Sequence, residues 1–124
     1  MKVLVVEDSA TVRMIVSRVI VKLGHEVGEA EDGMVAWEEV QRAHDVGMAY
    51  DFVVTDVNMP RMDGLELIKK LRSDERFQSL GVGIVTSDGR DSTESIGESL
   101  QVLFLLRKPV RPDDIKKAFS SINL

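Results

Sequence analysis

Asp51-Phe52-Val53-Val54-Thr55-Asp56 reads as a short apolar strand that ends on a carboxylate. The same pattern stands at the amino terminus, where Val3-Leu4-Val5-Val6 runs into Glu7-Asp8. An unbroken β-branched run marks a strand buried on both faces, as in a parallel sheet. Outward from these two runs the chain alternates strand and helix. Ser9 is placed to cap a helix with Val12, Ile15, Val16, Val19, Ile20 and Leu23 inward, and Gly24 to stop it. His25 to Ala30 is a less apolar strand, suited to a sheet edge. Asp32-Gly33 then turns into a helix carrying Met34, Trp37 and Val40 on one face, and Ala43 to Ala49 reads as a loop. Beyond Asp56, Pro60 to Gly64 is turn chemistry, and Leu65, Leu67, Ile68 and Leu71 build a third helix. Val82 to Thr86 and Val102 to Leu106 read as strands four and five. Between them, Asp91 to Leu100 offers only Ile96 and Leu100 as anchors for a helix. Pro112 opens a last helix with Ile115, Phe119 and Ile122 inward. The order βαβαβαβαβα predicts a doubly wound α/β fold, with five parallel strands, helices on both faces and right-handed crossovers. Ligands of such sheets bind outside the carboxyl ends of the strands, near the point where strand order reverses.

The 124 residues fit one domain, 1–124, with a real core and no room for a second. A formal net charge of −5 and a pI near 5.0 give no general attraction to nucleic acid, so direct nucleic-acid binding is not expected. The absence of cysteine excludes disulfides, thiolate metal sites and a thiol nucleophile. No apolar run approaches the ~20 residues that span a bilayer, and the amino terminus lacks the apolar stretch and cleavage site of a signal peptide. A soluble, cytoplasmic protein without membrane insertion is expected.

The strand ends carry the chemistry. Strand one ends at Glu7-Asp8, strand three at Asp56, strand four at Thr86 and strand five at Lys108. An acidic residue after a strand is ordinarily a solvated turn residue or a helix cap. Here the fold would bring three carboxylates, a hydroxyl and an ammonium from separate stretches to one rim. Clustered carboxylates repel one another, and a bound cation relieves that repulsion. Hard oxygen ligands with room for water suit Mg2+ best among common ions. Mg2+ would also neutralise and orient an incoming phosphoryl group, with Lys108 and the Thr86 hydroxyl against its oxygens. A carboxylate nucleophile gives an acyl phosphate, reactive enough for a reversible signal. The residues thus point to a Mg2+-dependent aspartyl-phosphate site at Asp56.

With these motifs in place, Val6-Glu7-Asp8-Ser9, Thr55-Asp56-Val57-Asn58-Met59-Pro60-Arg61-Met62-Asp63-Gly64, Val85-Thr86-Ser87 and Lys108-Pro109, the chain resembles the receiver domain family of response regulators over nearly its whole length. The resemblance implies the flavodoxin-like strand order 2-1-3-4-5 and five helices. It also implies that Asp56 is the phosphoacceptor. Asp8 and Asp56 would bind Mg2+ directly, Glu7 through water, and Asn58 through its main-chain carbonyl. Thr86 would be the switch hydroxyl and Lys108 the phosphate-pairing lysine. The implied partners are a histidine kinase or histidine phosphotransfer protein and a downstream protein target. The implied catalysis is confined to the domain's own phosphorylation and dephosphorylation. Asn58 and Asp88 stand two residues beyond the phosphoacceptor and the switch threonine, where the family tunes dephosphorylation; small polar groups there predict a short-lived phospho-form.

One position departs from the family. Three residues before the lysine, where an aromatic is usual, stands Leu105; the aromatic is Phe104, one residue earlier. A one-residue shift in a regular strand turns a side chain to the opposite face. Phe104 is therefore expected in the core, unless a bulge restores the geometry. Three other readings compete. A phosphatase or phosphotransferase with an Asp after a strand would want a second Asp at position 58, where Asn58 stands. A flavodoxin-like FMN binder would want a Ser/Thr/Gly-rich loop after strand one, where Glu7-Asp8 would repel phosphate. A pseudo-receiver would use the fold as a phosphorylation-independent interaction module; the intact site residues argue against it, and the displaced aromatic keeps it open. Trp37 is expected to pack on helix two, His25 and His44 to lie away from the rim, and Lys69, Lys70, Lys116 and Lys117 to line solvated helix faces. Taken as complete, the chain has no output domain and would act through a partner.

Overall fold

The computed structural model describes residues 1–87 and 91–122, with the side chains of 91–94 left aside. Its strands are β1 (Lys2–Val6), β2 (Glu26–Ala30), β3 (Phe52–Thr55), β4 (Gly81–Thr86) and β5 (Phe104–Arg107). Between and after them run α1 (Ala10–Lys22), α2 (Gly33–Asp45), α3 (Gly64–Ser73), α4 (Asp91–Ser99) and α5 (Pro112–Ser120). All four strand pairings are parallel, in the order β2-β1-β3-β4-β5. This is the α/β doubly wound sheet that the apolar runs predict, with β2 at an edge.

Alternation along the strands divides the core in two. Leu4, Val6, Val53 and Ile84 face Ala36, Val40 and Ala43 of α2 and Leu67, Ile68 and Leu71 of α3. Val3, Val5, Phe52, Val54 and Val85 face Val16, Val19 and Ile20 of α1 and Ile115 and Phe119 of α5. Because helices cover both faces, β3 and β4 are buried along their whole length and β1 beyond its first residue. That is why their sequence shows no polar alternation.

Element boundaries differ from the sequence reading in places. Helix α2 runs on to Asp45 because Ala43 continues the buried stripe of Ala36 and Val40, and Gly47 follows with φ +77. Strand β2 starts one residue later than expected, at Glu26. Strand β5 is displaced to Phe104–Arg107, since the chain turns at Gln101 (φ 60) and Val102 N–H returns to the Gly97 carbonyl at 3.0 Å. On α1 the buried arc reaches around to Ser17 and excludes Ile15, which is 42% exposed.

Phe104 packs, partly buried, against the core, as its one-residue displacement predicts. The β4–β5 register is unbroken from Gly83↔Phe104 to Thr86↔Arg107, so no bulge intervenes among these pairs. Phe104 packs on the α1/α5 side, stacked on Phe52 at 5.8 Å and 14° and tilted against Phe119 at 5.8 Å. A Cβ at Gly83 would overlap this ring, so glycine is what lets Phe104 cross β4. Leu105 points to the other face, toward the cluster that holds Ile84.

Candidate functional site at the carboxyl rim

Three site residues extend the sheet ladder by one bond beyond their strands. The Glu7 N–H donates to the Ala30 carbonyl at 3.0 Å, the Asp56 N–H to Val6 at 3.0 Å, and the Lys108 N–H to Thr86 at 2.9 Å. The backbone is thus fixed where each side chain turns over the rim. Glu7 and Asp56 are buried, at 3% and 5% exposure, while Asp8 and Asn58 are exposed. Gly64, the first residue of α3, donates to the Val57 carbonyl at 2.8 Å, and a Cβ on it would overlap the Asp56 carbonyl oxygen. Only glycine allows the α3 start to abut the Asp56 backbone so closely.

The rim is a charge cluster. Lys108 Nζ sits 2.8 Å from Glu7 Oε2 and 2.9 Å from Asp56 Oδ2. Asp56 Oδ1 accepts from the Val57 N–H at 2.7 Å, and Glu7 Oε1 from the Ser9 N–H at 3.1 Å. Burial, with the Asp56 charge adding to it, pushes the Glu7 carboxyl above the usual range; the bonds from Lys108 and the Ser9 N–H offset this only in part. Burial acts against the Lys108 ammonium, but its bonds to Glu7 and Asp56 outweigh it and hold its pKa above the ordinary lysine value. Carboxylate oxygens of Glu7, Asp8 and Asp56 all lie within 4.8 Å of one another. Lys108 bonds to two of these three carboxylates, and a bound divalent cation would relieve the repulsion that remains among them. An all-oxygen donor set with one exposed member suits a hard ion such as Mg2+ that keeps some of its water.

Of the residues singled out from sequence, Glu7, Asp8, Asp56 and Lys108 come together. Thr86 is the last residue of β4 and fully buried, bound to Lys108 through its carbonyl. Asn58 follows Asp56 by two residues on the exposed connection to α3, and Asp88 lies outside the described residues. His25 is at the opposite end of β1, with Nδ1 3.0 Å from the terminal amine, and His44 lies beside Phe77. Trp37 packs edge-on against Phe77.

Two contacts at the rim were not read from sequence. Arg13 Nη1 donates to the Glu7 carbonyl at 2.7 Å, reaching back from the first turns of α1. Arg61 pairs with the buried carboxylate of Asp32 at 2.9 Å, joining the β2–α2 and β3–α3 connections. Asp32-Gly33 reads locally as a turn, and only its cross-chain partner gives it a further meaning.

Comparison with known proteins agrees with this geometry. The profile described as the response regulator receiver domain matches residues 3–120. A chemotaxis protein CheY homolog of Campylobacter jejuni is 35% identical over 123 residues, covering 98% of this chain and 92% of its own. Chemotaxis protein CheY1 of Helicobacter pylori is 38% identical over 118 residues, covering 94% of this chain and 92% of its own. The structure of chemotaxis protein CheY4 of Vibrio cholerae superimposes with a TM-score of 0.86 at 30% identity, covering 98% of both chains. With the fold, the rim and these relatives in agreement, the chain belongs to the response regulator receiver domain family, and it is of the CheY type.

Proposed function

We propose that the chain is a phosphoacceptor in a two-component phosphorelay, taking a phosphoryl group onto Asp56 from a histidine kinase or histidine phosphotransfer protein. The observation that carries this reading is the Asp56 carboxylate itself: buried, at the carboxyl rim, held by the Val57 N–H and Lys108 Nζ, beside Glu7 and Asp8. A carboxylate oxygen of Asp56 attacks phosphorus, the bond from phosphorus to the donor nitrogen or oxygen breaks, and the donor leaves with that electron pair. Lys108, already on Asp56, follows charge onto the phosphoryl oxygens. The Val57 N–H fixes the carboxylate rotamer, so attack needs no side-chain search. Asp8, Asp56 and the Asn58 main-chain carbonyl would hold Mg2+, with Glu7 acting through water. When bound, the ion supplies positive charge that neutralises and orients the phosphoryl group. Catalysis extends only to the domain's own phosphorylation and dephosphorylation, so the chain is not an enzyme acting on other substrates. The signal then passes to a downstream protein target through a surface sensitive to phosphorylation.

One observation favours a second reading. Phe104 packs on the α1/α5 side and Leu105 on the opposite face of the sheet, as a pseudo-receiver that binds partners without phosphorylation would tolerate. The convergence of Glu7, Asp8 and Lys108 on Asp56 weighs against it. Incubation with acetyl phosphate and Mg2+, followed by intact mass measurement, separates the two. The wild type gains one phosphoryl group and Asp56→Asn gains none; an unlabelled wild type, or equal labelling of both, defeats the proposal.

A further inference from the structure

The segment that carries Asn58 is folded into a strained shape. Arg61 has φ 65, in the left-handed region that a side chain other than glycine or asparagine rarely enters. The Met62 N–H donates back to the Pro60 carbonyl at 2.7 Å, closing a three-residue turn around Arg61. Three-residue turns with positive φ are rare and strained. Strain of this kind persists only where the surroundings over-determine it.

The surroundings here are the β2–α2 connection. Arg61 donates from Nε to Asp32 Oδ2 at 2.9 Å and from Nη2 to Oδ1 at 3.3 Å. Asp32 is no ordinary surface partner: its side chain is 5% exposed and also caps α2, accepting from the Val35 N–H at 2.9 Å. One residue on, the Gly33 N–H donates to the Met62 carbonyl at 3.0 Å, and a Cβ at Gly33 would overlap that carbonyl. The 57–64 segment is therefore closed at its base by the Gly64–Val57 bond and pinned at its apex by Asp32 and Gly33. Asn58 sits between the two fixed points.

We propose that Asp32 is a positioning residue, pinning the strained turn through Arg61 so that the Asn58 main chain is presented to the rim. This rests on the reading of the rim as a phosphoacceptor and divalent-cation site. An exposed ion pair alone would do little; what matters is that the pair holds a backbone conformation which arginine would otherwise leave. Glycine takes a positive φ freely. Replacing the strained arginine by glycine should therefore make the pair dispensable, a rescue that loss of a merely stabilising contact would not show.

The test is a cycle of Asp32→Asn, Arg61→Gly and the double variant. Asparagine keeps the α2 cap, so Asp32→Asn remains folded. Affinity for Mn2+ alone is read from the spectroscopic signal of the free ion, and Asp56 labelling by acetyl phosphate is followed by mass. Asp32→Asn should bind Mn2+ about tenfold more weakly, the lower end of what outer partners of metal ligands contribute. Arg61→Gly and the double variant should stay within about twofold of wild type. A wild type that takes up no phosphate at Asp56 overturns the rim reading and this proposal with it. A wild type that labels and binds, with Asp32→Asn binding equally well or the double variant no better than Asp32→Asn, overturns the positioning role alone.

Discussion

Gly83→Ala tests whether Phe104 belongs to the core. The added methyl would meet Cζ, Cε1 and Cε2 of Phe104, a ring stacked on Phe52 at 5.8 Å and braced by Phe119 at 5.8 Å. Overpacking a core by one methyl group typically costs about 1–3 kcal/mol. Phe104 is only partly buried and borders an open groove of about 270 Å3 with Gly97, Glu98, Val102 and Leu105, so the ring has room to give. The expected loss is therefore about 1–2 kcal/mol, at the low end of that range. With a urea m-value of about 2 kcal/mol/M, the midpoint falls by about 0.5–1 M at unchanged m. Phe104→Ala alone should cost about 2–3 kcal/mol, less than a fully buried phenylalanine. In that background Gly83→Ala should cost almost nothing, a coupling of about 1 kcal/mol or more between the two sites. Equal losses from Gly83→Ala in both backgrounds would refute the close approach and leave Phe104 free for another role. Labelling of Asp56 by acetyl phosphate should survive Phe104→Ala.

Four further outcomes follow from the same geometry. Mg2+ should stabilise the wild type by about 2.7 kcal/mol at 100 times its Kd, read as a raised thermal midpoint, and should do so far less for Asp8→Ala; equal shifts would remove Asp8 from the cation site. Asp32 is held below the usual carboxylate range, since bonds from the Val35 N–H and Arg61 outweigh the burial that opposes its charge. Its contribution is therefore full above its ordinary pKa of 3.8 and fades as pH falls through the lowered folded value, so the stability gap between wild type and Asp32→Asn should close in acid; a gap independent of pH contradicts this. Ser17 Oγ is buried with no hydrogen-bond partner among the described residues, so Ser17→Ala should raise stability by about 1 kcal/mol in urea titration, and a loss would reveal a hidden partner. If Asn58 and Asp88 tune dephosphorylation as the family resemblance implies, the phospho-form of the wild type should decay quickly in Mg2+; persistence for many hours would count against both as aids to hydrolysis.

The sheet was legible because burial on both faces writes itself as unbroken apolar runs at β1, β3 and β4, and the site because each run ends on a charged or hydroxyl residue. Boundaries were less legible where burial and propensity part. Ala43 looks like the start of a loop in composition yet completes a buried helical stripe, and Ile15 looks like core yet faces outward because α1 is covered on its Ser17 side. The displacement of Phe104 could be read as a change of face from the period of a strand alone. What occupies that other face, Phe52 and Phe119, comes from distant segments and needed the register. The Asp32–Arg61 pair was hidden for the same reason: each half is an ordinary turn residue, and the link spans 29 positions.

The placement of the chain's single tryptophan has a practical consequence. Trp37 lies on the seam of α2 and α3, edge-on to Phe77 and under Lys70 Nζ at 5.1 Å, in a groove of about 510 Å3 whose lining includes Met62 but not Glu7, Asp8 or Asp56. Its emission is therefore a spectroscopic probe of that seam. Unfolding of the α2/α3 layer can be followed optically while phosphorylation at Asp56 is followed by mass.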